Sequence, residues 1–257
     1  MKGLPAATGI EWLKQGFALF RQQPGILLMA LLANLLSYAV VGWMPLVGGM
    51  IMALLVPSFS MAIMEACNQI AQGKRALPDV ILTGFRQPAF AALCRLGLVY
   101  VALAIVFLLL SKFNGSEELM RQATQAVDPK KPPVIDGGAA LRLLLFSFLQ
   151  VACIISLAFA APLTYWKHMP PFKAIFYSFF GVIGALRPIL LMIFAWFGML
   201  MAAMLVITLV FKGNMMLAQV VLVWVLLMFS LVLQCAMFMG YRQIFSDPLP
   251  SPERANQ

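Results

Sequence analysis

Long apolar runs separated by short polar clusters set the pattern of this chain. Six runs, 25–43, 46–66, 89–111, 141–161, 188–210 and 217–239, are each 19 to 23 residues long. A helix rises about 1.5 Å per residue, so about 20 apolar residues cross a hydrocarbon layer roughly 30 Å thick. Strands of a transmembrane barrel would be shorter and would alternate in polarity, and these runs do neither. The pattern predicts an all-α polytopic transmembrane helical bundle. It has six spans in a single integral membrane domain over 1–257, with a long loop at 112–140.

Three of the spans are entered through similar turns: Phe20-Arg21-Gln22-Gln23-Pro24, Phe85-Arg86-Gln87-Pro88 and Leu186-Arg187-Pro188. Pro24, Pro88 and Pro188 suit a first helical turn, where no backbone donor is needed, and Arg21, Arg86 and Arg187 can reach the headgroups. An amphipathic stretch precedes each turn. In the first, Ile10, Leu13, Phe17 and Phe20 recur at helical spacing, with Glu11, Lys14, Gln15 and Arg21 on other faces. This pattern predicts short amphipathic interfacial helices that lie in the membrane plane. The second copy, 77–85, is shorter. The third, 172–186, has an apolar face of Phe172, Ile175, Phe176, Phe179, Phe180 and Ile183. Only 13 residues separate Lys173 from Arg187, about 20 Å of helix, too short for a seventh span. Such elements either anchor and tilt the spans or shape the leaflet and offer a docking face. Their recurrence suggests two related halves.

Composition agrees with a membrane location: 63% of residues are hydrophobic and 11% charged, against roughly 45–50% and about 25% in soluble domains. Mean hydropathy is +0.93. Lys2, Lys14, Arg21, Lys74, Arg75, Arg86, Arg95, Lys167, Lys173, Arg187, Arg242 and Arg254 fall on one side of the predicted spans. Lys112, Arg121, Lys130, Lys131, Arg142 and Lys212 fall on the other. The richer side is expected to be cytoplasmic, with both termini there and 112–140 periplasmic. The net charge of +9 flanks spans instead of forming one stripe, so it fits anionic lipid and not nucleic acid. The first run lacks a small-residue cleavage pattern and reads as a permanent anchor.

Gly9-Ile10-Glu11-Trp12-Leu13, Gly16-Phe17-Ala18-Leu19-Phe20 and Pro24, followed by Ala161-Pro162-Leu163, Lys173-Ala174 and Ser178, resemble an uncharacterised, mostly betaproteobacterial family of inner-membrane proteins. The resemblance covers most of the chain. It implies a bacterial inner-membrane location and a six-helix domain related to the membrane domain attached to some glycerophosphodiesterases. The resemblance brings no known catalytic residue, and with no phosphodiesterase domain expected in this sequence it implies no such activity.

Ionisable groups inside a bilayer are costly and therefore candidates for function. Glu65 falls near the end of the second span, and Arg95 lies seven residues beyond Pro88, about 10 Å into the third. Antiparallel spans would bring them to one depth. The expectation is an intramembrane ion pair acting as a clamp, with a proton- or substrate-coupling site and simple snorkelling as the other readings. Asn34, Gln150, Gln219 and Gln234 fit interhelical hydrogen bonds, and a polar pathway would need them to converge. Pro57 interrupts the second span.

Cys67, Cys94, Cys153 and Cys235 lie outside the external loop and form no CxxC pair, so neither disulfides nor a zinc site is expected. His168 has no partner in sequence, and no HExxH, GxSxG or P-loop pattern occurs. In the external loop, Ser116-Glu117-Glu118 signals a helix start. Asp128-Pro129-Lys130-Lys131-Pro132-Pro133 reads as an extended linker.

The leading expectation is a non-enzymatic inner-membrane protein without cofactors, contacting the lipid bilayer and supporting a membrane or envelope complex through a membrane or periplasmic partner. The alternative is a small transporter or permease-like protein with a polar site near Glu65 and Arg95. A water-accessible cavity reaching Glu65 would favour transport, and a dry interior with an apolar groove would favour the supporting role.

Overall fold

The computed structural model describes residues 4–44, 47–87, 89–113 and 137–245. The predicted helix after Ser116, the linker at 128–133 and Pro88 lie outside the described residues. Among the described residues the regular structure is helical, with no strand. The elements are α1 (Thr8–Gln22), α2 (Pro24–Gly42), α3 (Val47–Ala71), a 3₁₀ helix (Pro78–Phe85), α4 (Ala89–Phe113), α5 (Gly137–Leu157), α6 (Ala160–Trp166), α7 (Pro171–Gly184), α8 (Leu186–Val210) and α9 (Met215–Ile244).

Six helical segments are long and apolar enough to cross a membrane: Pro24–Gly42, Val47–Ala71, Ala89–Ser111, Leu144–Trp166, Leu186–Val210 and Met216–Ile244. Each overlaps one expected span. The second and sixth run past their expected ends through Asn68, Gln69, Tyr241 and Arg242, because helical hydrogen bonding does not stop where the side chains turn polar. Spans that alternate in direction bring α1, the 3₁₀ helix, the end of α6 and α7 to one face of the bundle, the elbow face.

Pro24 occupies the first turn of α2, and Gln23 forms the corner between α1 and α2. Its carboxamide staples that corner to the chain after α3, donating to the Lys74 carbonyl at 2.9 Å and accepting from Ala76 N–H at 2.9 Å. Helix α1 is docked as well as amphipathic. Its buried face is Gly9, Trp12, Leu13, Gly16 and Leu19, while Ile10 and Phe17 are exposed. Small residues let backbones meet: a Cβ on Gly9 would sit 2.0 Å from the Pro188 carbonyl oxygen, and one on Gly16 would sit 2.5 Å from the Ala236 nitrogen. The expected apolar stripe is therefore split, with Leu13 facing protein and Ile10 and Phe17 facing outward.

Helix α7 has 14 residues and remains an elbow. Its buried side is Ala174, Ser178, Gly181 and Val182, leaving Phe172, Phe176, Phe180 and Ile183 exposed as an aromatic ridge. The fourth span, expected to be continuous, is broken between α5 and α6 at Ala158 and Phe159. Neighbouring side chains satisfy backbone groups at the break. Phe159 N–H donates to the buried Ser178 hydroxyl at 3.0 Å, and the Tyr100 hydroxyl donates to the Leu157 carbonyl at 3.3 Å. Inside a bilayer such partners are what make a broken helix tolerable.

Candidate functional site

The last turns of α3, the 3₁₀ helix, the first turn of α4 and the end of α6 enclose a cleft of about 590 Å³ at the elbow face. Glu65 and Gln69 enter it from α3, Arg86 from the end of the 3₁₀ helix, Ala89 and Ala92 from α4, and Thr164, Tyr165 and Trp166 from α6. His168 also lines it, from a turn that needs positive φ (49°) at this non-glycine residue. One helical turn deeper, Met61, Leu93, Leu96, Ala160 and Ala161 form a buried apolar cluster. Two glycines keep the wall thin: a Cβ on Gly84 would sit 2.2 Å from the Ser58 carbonyl oxygen, and one on Gly97 would sit 2.1 Å from that of Leu54. The cleft therefore ends on an apolar plug.

Glu65 is half-buried and held by neutral donors. Trp166 Nε1 donates to its carboxylate at 3.0 Å, Asn68 Nδ2 at 3.3 Å and Gln69 Nε2 at 3.4 Å. Trp166 is itself fixed by the Phe238 and Tyr241 rings of α9, with centroids 6.1 and 5.2 Å away. The Thr164 hydroxyl, 1% exposed, has no hydrogen-bond partner among the described residues.

The expected pairing of Glu65 with Arg95 is not formed. An ion pair joins Arg86 to Asp79 at the rim instead. Arg95 is exposed, whereas its neighbours Leu93 and Leu96 are fully buried and Gly97 packs on α3. At 3.6 residues per turn, Arg95 points roughly 150° away from the centre of that buried face. Depth along a helix follows from counting residues, and direction around it does not.

The entry-turn residues fall into different environments. Arg21 is exposed with its guanidinium 5.9 Å from the Phe17 ring centroid, and Pro24 is exposed. Arg187 is exposed, whereas Pro188 is buried under α1. Among the described entry-turn residues, Arg86 alone reaches the cleft.

Of the intramembrane amides, Asn34 and Gln234 converge. Together with Tyr38 and Ser60 they line a recess of about 370 Å³ between α2, α3 and α9 that touches Ala158 at the break. Asn34 Nδ2 donates to the Phe59 carbonyl at 3.4 Å, and its Oδ1 is buried with no partner among the described residues. Gln150 and Gln219 are exposed. Sequence reasoning missed Thr164, whose only signal was a hydroxyl in an apolar run beside Tyr165 and Trp166. It also missed the meeting of Cys67 and Cys235, whose buried sulfurs lie 3.4 Å apart. On the far side of α1, Ile10, Phe17, Met199 and Phe229 line an almost wholly apolar groove of about 330 Å³.

Among known proteins, the chain is similar to a probable inner membrane protein of Burkholderia thailandensis, 30% identical over 178 residues. The alignment covers 67% of this chain and 66% of that protein, so this chain spans just under two thirds of its relative's length. No family model matches the chain, and no solved structure matches it. This likeness together with six apolar helices identifies an integral, multi-span inner-membrane protein.

Proposed function

We propose that the chain is a small transporter or permease-like protein whose cleft around Glu65 receives a polar molecule. This inverts the order expected from sequence, where the non-enzymatic supporting role led. One observation carries the reading: a cleft open at one face reaches Glu65 and Thr164 and then stops on an apolar plug. A carrier open to one side has that form. The broken fourth span beside the Asn34 and Gln234 recess supports it further, since transporters commonly build their sites at interrupted helices near the membrane midplane. The excess of Lys and Arg supports assigning the elbow face and both termini to the cytoplasm. Kinship with membrane domains attached to glycerophosphodiesterases, which the sequence resemblance supports, belongs to this proposal as well.

A supporting role without enzymatic activity is the second reading. It is favoured by the apolar groove beside α1 and by the aromatic ridge of α7, surfaces suited to a membrane protein partner. Labelling separates the two readings. In a cysteine-free background, Ala92→Cys reports on the cleft and Ser60→Cys on the recess. An impermeant maleimide should label position 92 from the cytoplasmic side and position 60 from either side of sealed vesicles. If position 60 stays unlabelled from both sides, the permease reading is lost and the supporting role takes its place.

A further inference from the structure

We propose that the cleft binds an ammonium group, carried by a soluble amine or by a zwitterionic lipid headgroup. The inference deepens the reading of the cleft as a site for a polar molecule, and it does not need transport to occur. The donors to the Glu65 carboxylate are neutral, the Trp166 indole and the Asn68 and Gln69 carboxamides, so they orient its negative charge without offsetting it. The basic residues of the lining are Arg86 and His168, both exposed, and Arg86 sits at the rim against Asp79, each side chain 57% exposed. Arg95 is exposed on another face of α4. The deep end of the cleft is therefore anionic, and it discriminates against phosphate or carboxylate entering first.

Two further features suit a cation with N–H donors. Thr164 Oγ1, buried at the same wall, is an acceptor without a partner among the described residues. An ammonium proton would satisfy it and remove a cost that a buried unpaired hydroxyl otherwise carries. Tyr165 adds an aromatic ring to the lining, and ring faces attract ammonium groups. A volume of about 590 Å³ lies within the range of small-molecule sites, roughly 300–1,000 Å³.

The test uses the full chain in lipid nanodiscs. In discs of phosphatidylglycerol alone, ethanolamine and choline are titrated calorimetrically, with inorganic phosphate as the anionic control. In discs containing phosphatidylethanolamine, retention of that lipid is read by native mass spectrometry. Saturable amine binding in the first arm assigns a soluble amine, and selective retention in the second assigns the headgroup. In whichever arm responds, Glu65→Gln, which still offers Trp166 an acceptor, should weaken the response at least tenfold. Thr164→Val should weaken it severalfold without lowering the melting temperature, a separation that a merely structural hydroxyl would not give. Insensitivity of both arms to Glu65→Gln, or tighter binding of phosphate than of amine, overturns the proposal. An unlabelled Ser60→Cys with ammonium binding intact would remove the permease reading alone. Two-sided labelling without ammonium binding would remove this inference alone.

Discussion

Replacing Trp12 by alanine should cost about 3–5 kcal/mol of stability, the usual range for deleting a fully packed tryptophan. Trp12 is 1% exposed in a chain segment that reads as a surface helix. Its ring lies over Gly240 of α9, where an added Cβ would stand 3.2 Å from it, and its Nε1 donates to the Gln243 side chain. Deleting it leaves a hole between α1 and α9 that lipid chains cannot fill from the headgroup level. It also strips a donor from Gln243. Thermal unfolding of the purified protein in a mild detergent measures the loss. A change below about 1 kcal/mol, less than the low end of that range, would mean that α1 only rests on the bilayer.

Gly16→Leu should be nearly as damaging, at about 3 kcal/mol, by the opposite mechanism of overpacking. A Cβ at position 16 would lie 2.5 Å from the Ala236 nitrogen and 2.8 Å from its Cα. Both atoms belong to the backbone of α9, which cannot rotate aside as a side chain could, so α1 must lift away. The control is Gly198→Ala in α8, where an added Cβ would meet nothing within 4 Å. In a helix interior, alanine is favoured over glycine by roughly 0.5–1 kcal/mol, so this variant should melt at the same temperature or higher. Equal losses at positions 16 and 198 would refute close packing of α1 on α9.

The spans were legible because hydrocarbon thickness imposes a length that composition alone reveals, and all six overlap their expected ranges. The elbows were legible as elements but not in orientation. Periodicity sorts residues into apolar and polar, whereas a membrane protein sorts them into lipid-facing and protein-facing, and apolar side chains suit both. Ile10 and Phe17 of α1 are exposed while Gly9 and Gly16 carry the contact. On α7 the large rings point outward, and Ala174, Ser178 and Gly181 point in. Close approach favours small residues, so the glycine spacing was the better signal.

The candidate site was half legible. Glu65 stood out as a costly intramembrane carboxylate, but its expected partner turns away. Rise along an axis can be counted from a sequence, whereas the rotation of α4 depends on Gly97 fitting against Leu54. The break at Ala158 was hidden in an apolar run. Its stability depends on Ser178 and Tyr100, one 19 residues away from Phe159 and the other 57 away from Leu157 in the chain, and local pattern carries no such information. Asn34 and Gln234 could be named from sequence, but their convergence could not.

Both proposals depend on Glu65 being a carboxylate that Arg95 does not neutralise. A double-mutant cycle tests this directly, with Glu65→Gln, Arg95→Leu and the combined variant compared by unfolding free energy in detergent. The account predicts that the two changes add to within about 0.5 kcal/mol, as they do for residues that share no contact. Single losses of about 3–5 kcal/mol that the double variant restores would mark a buried ion pair and contradict the account.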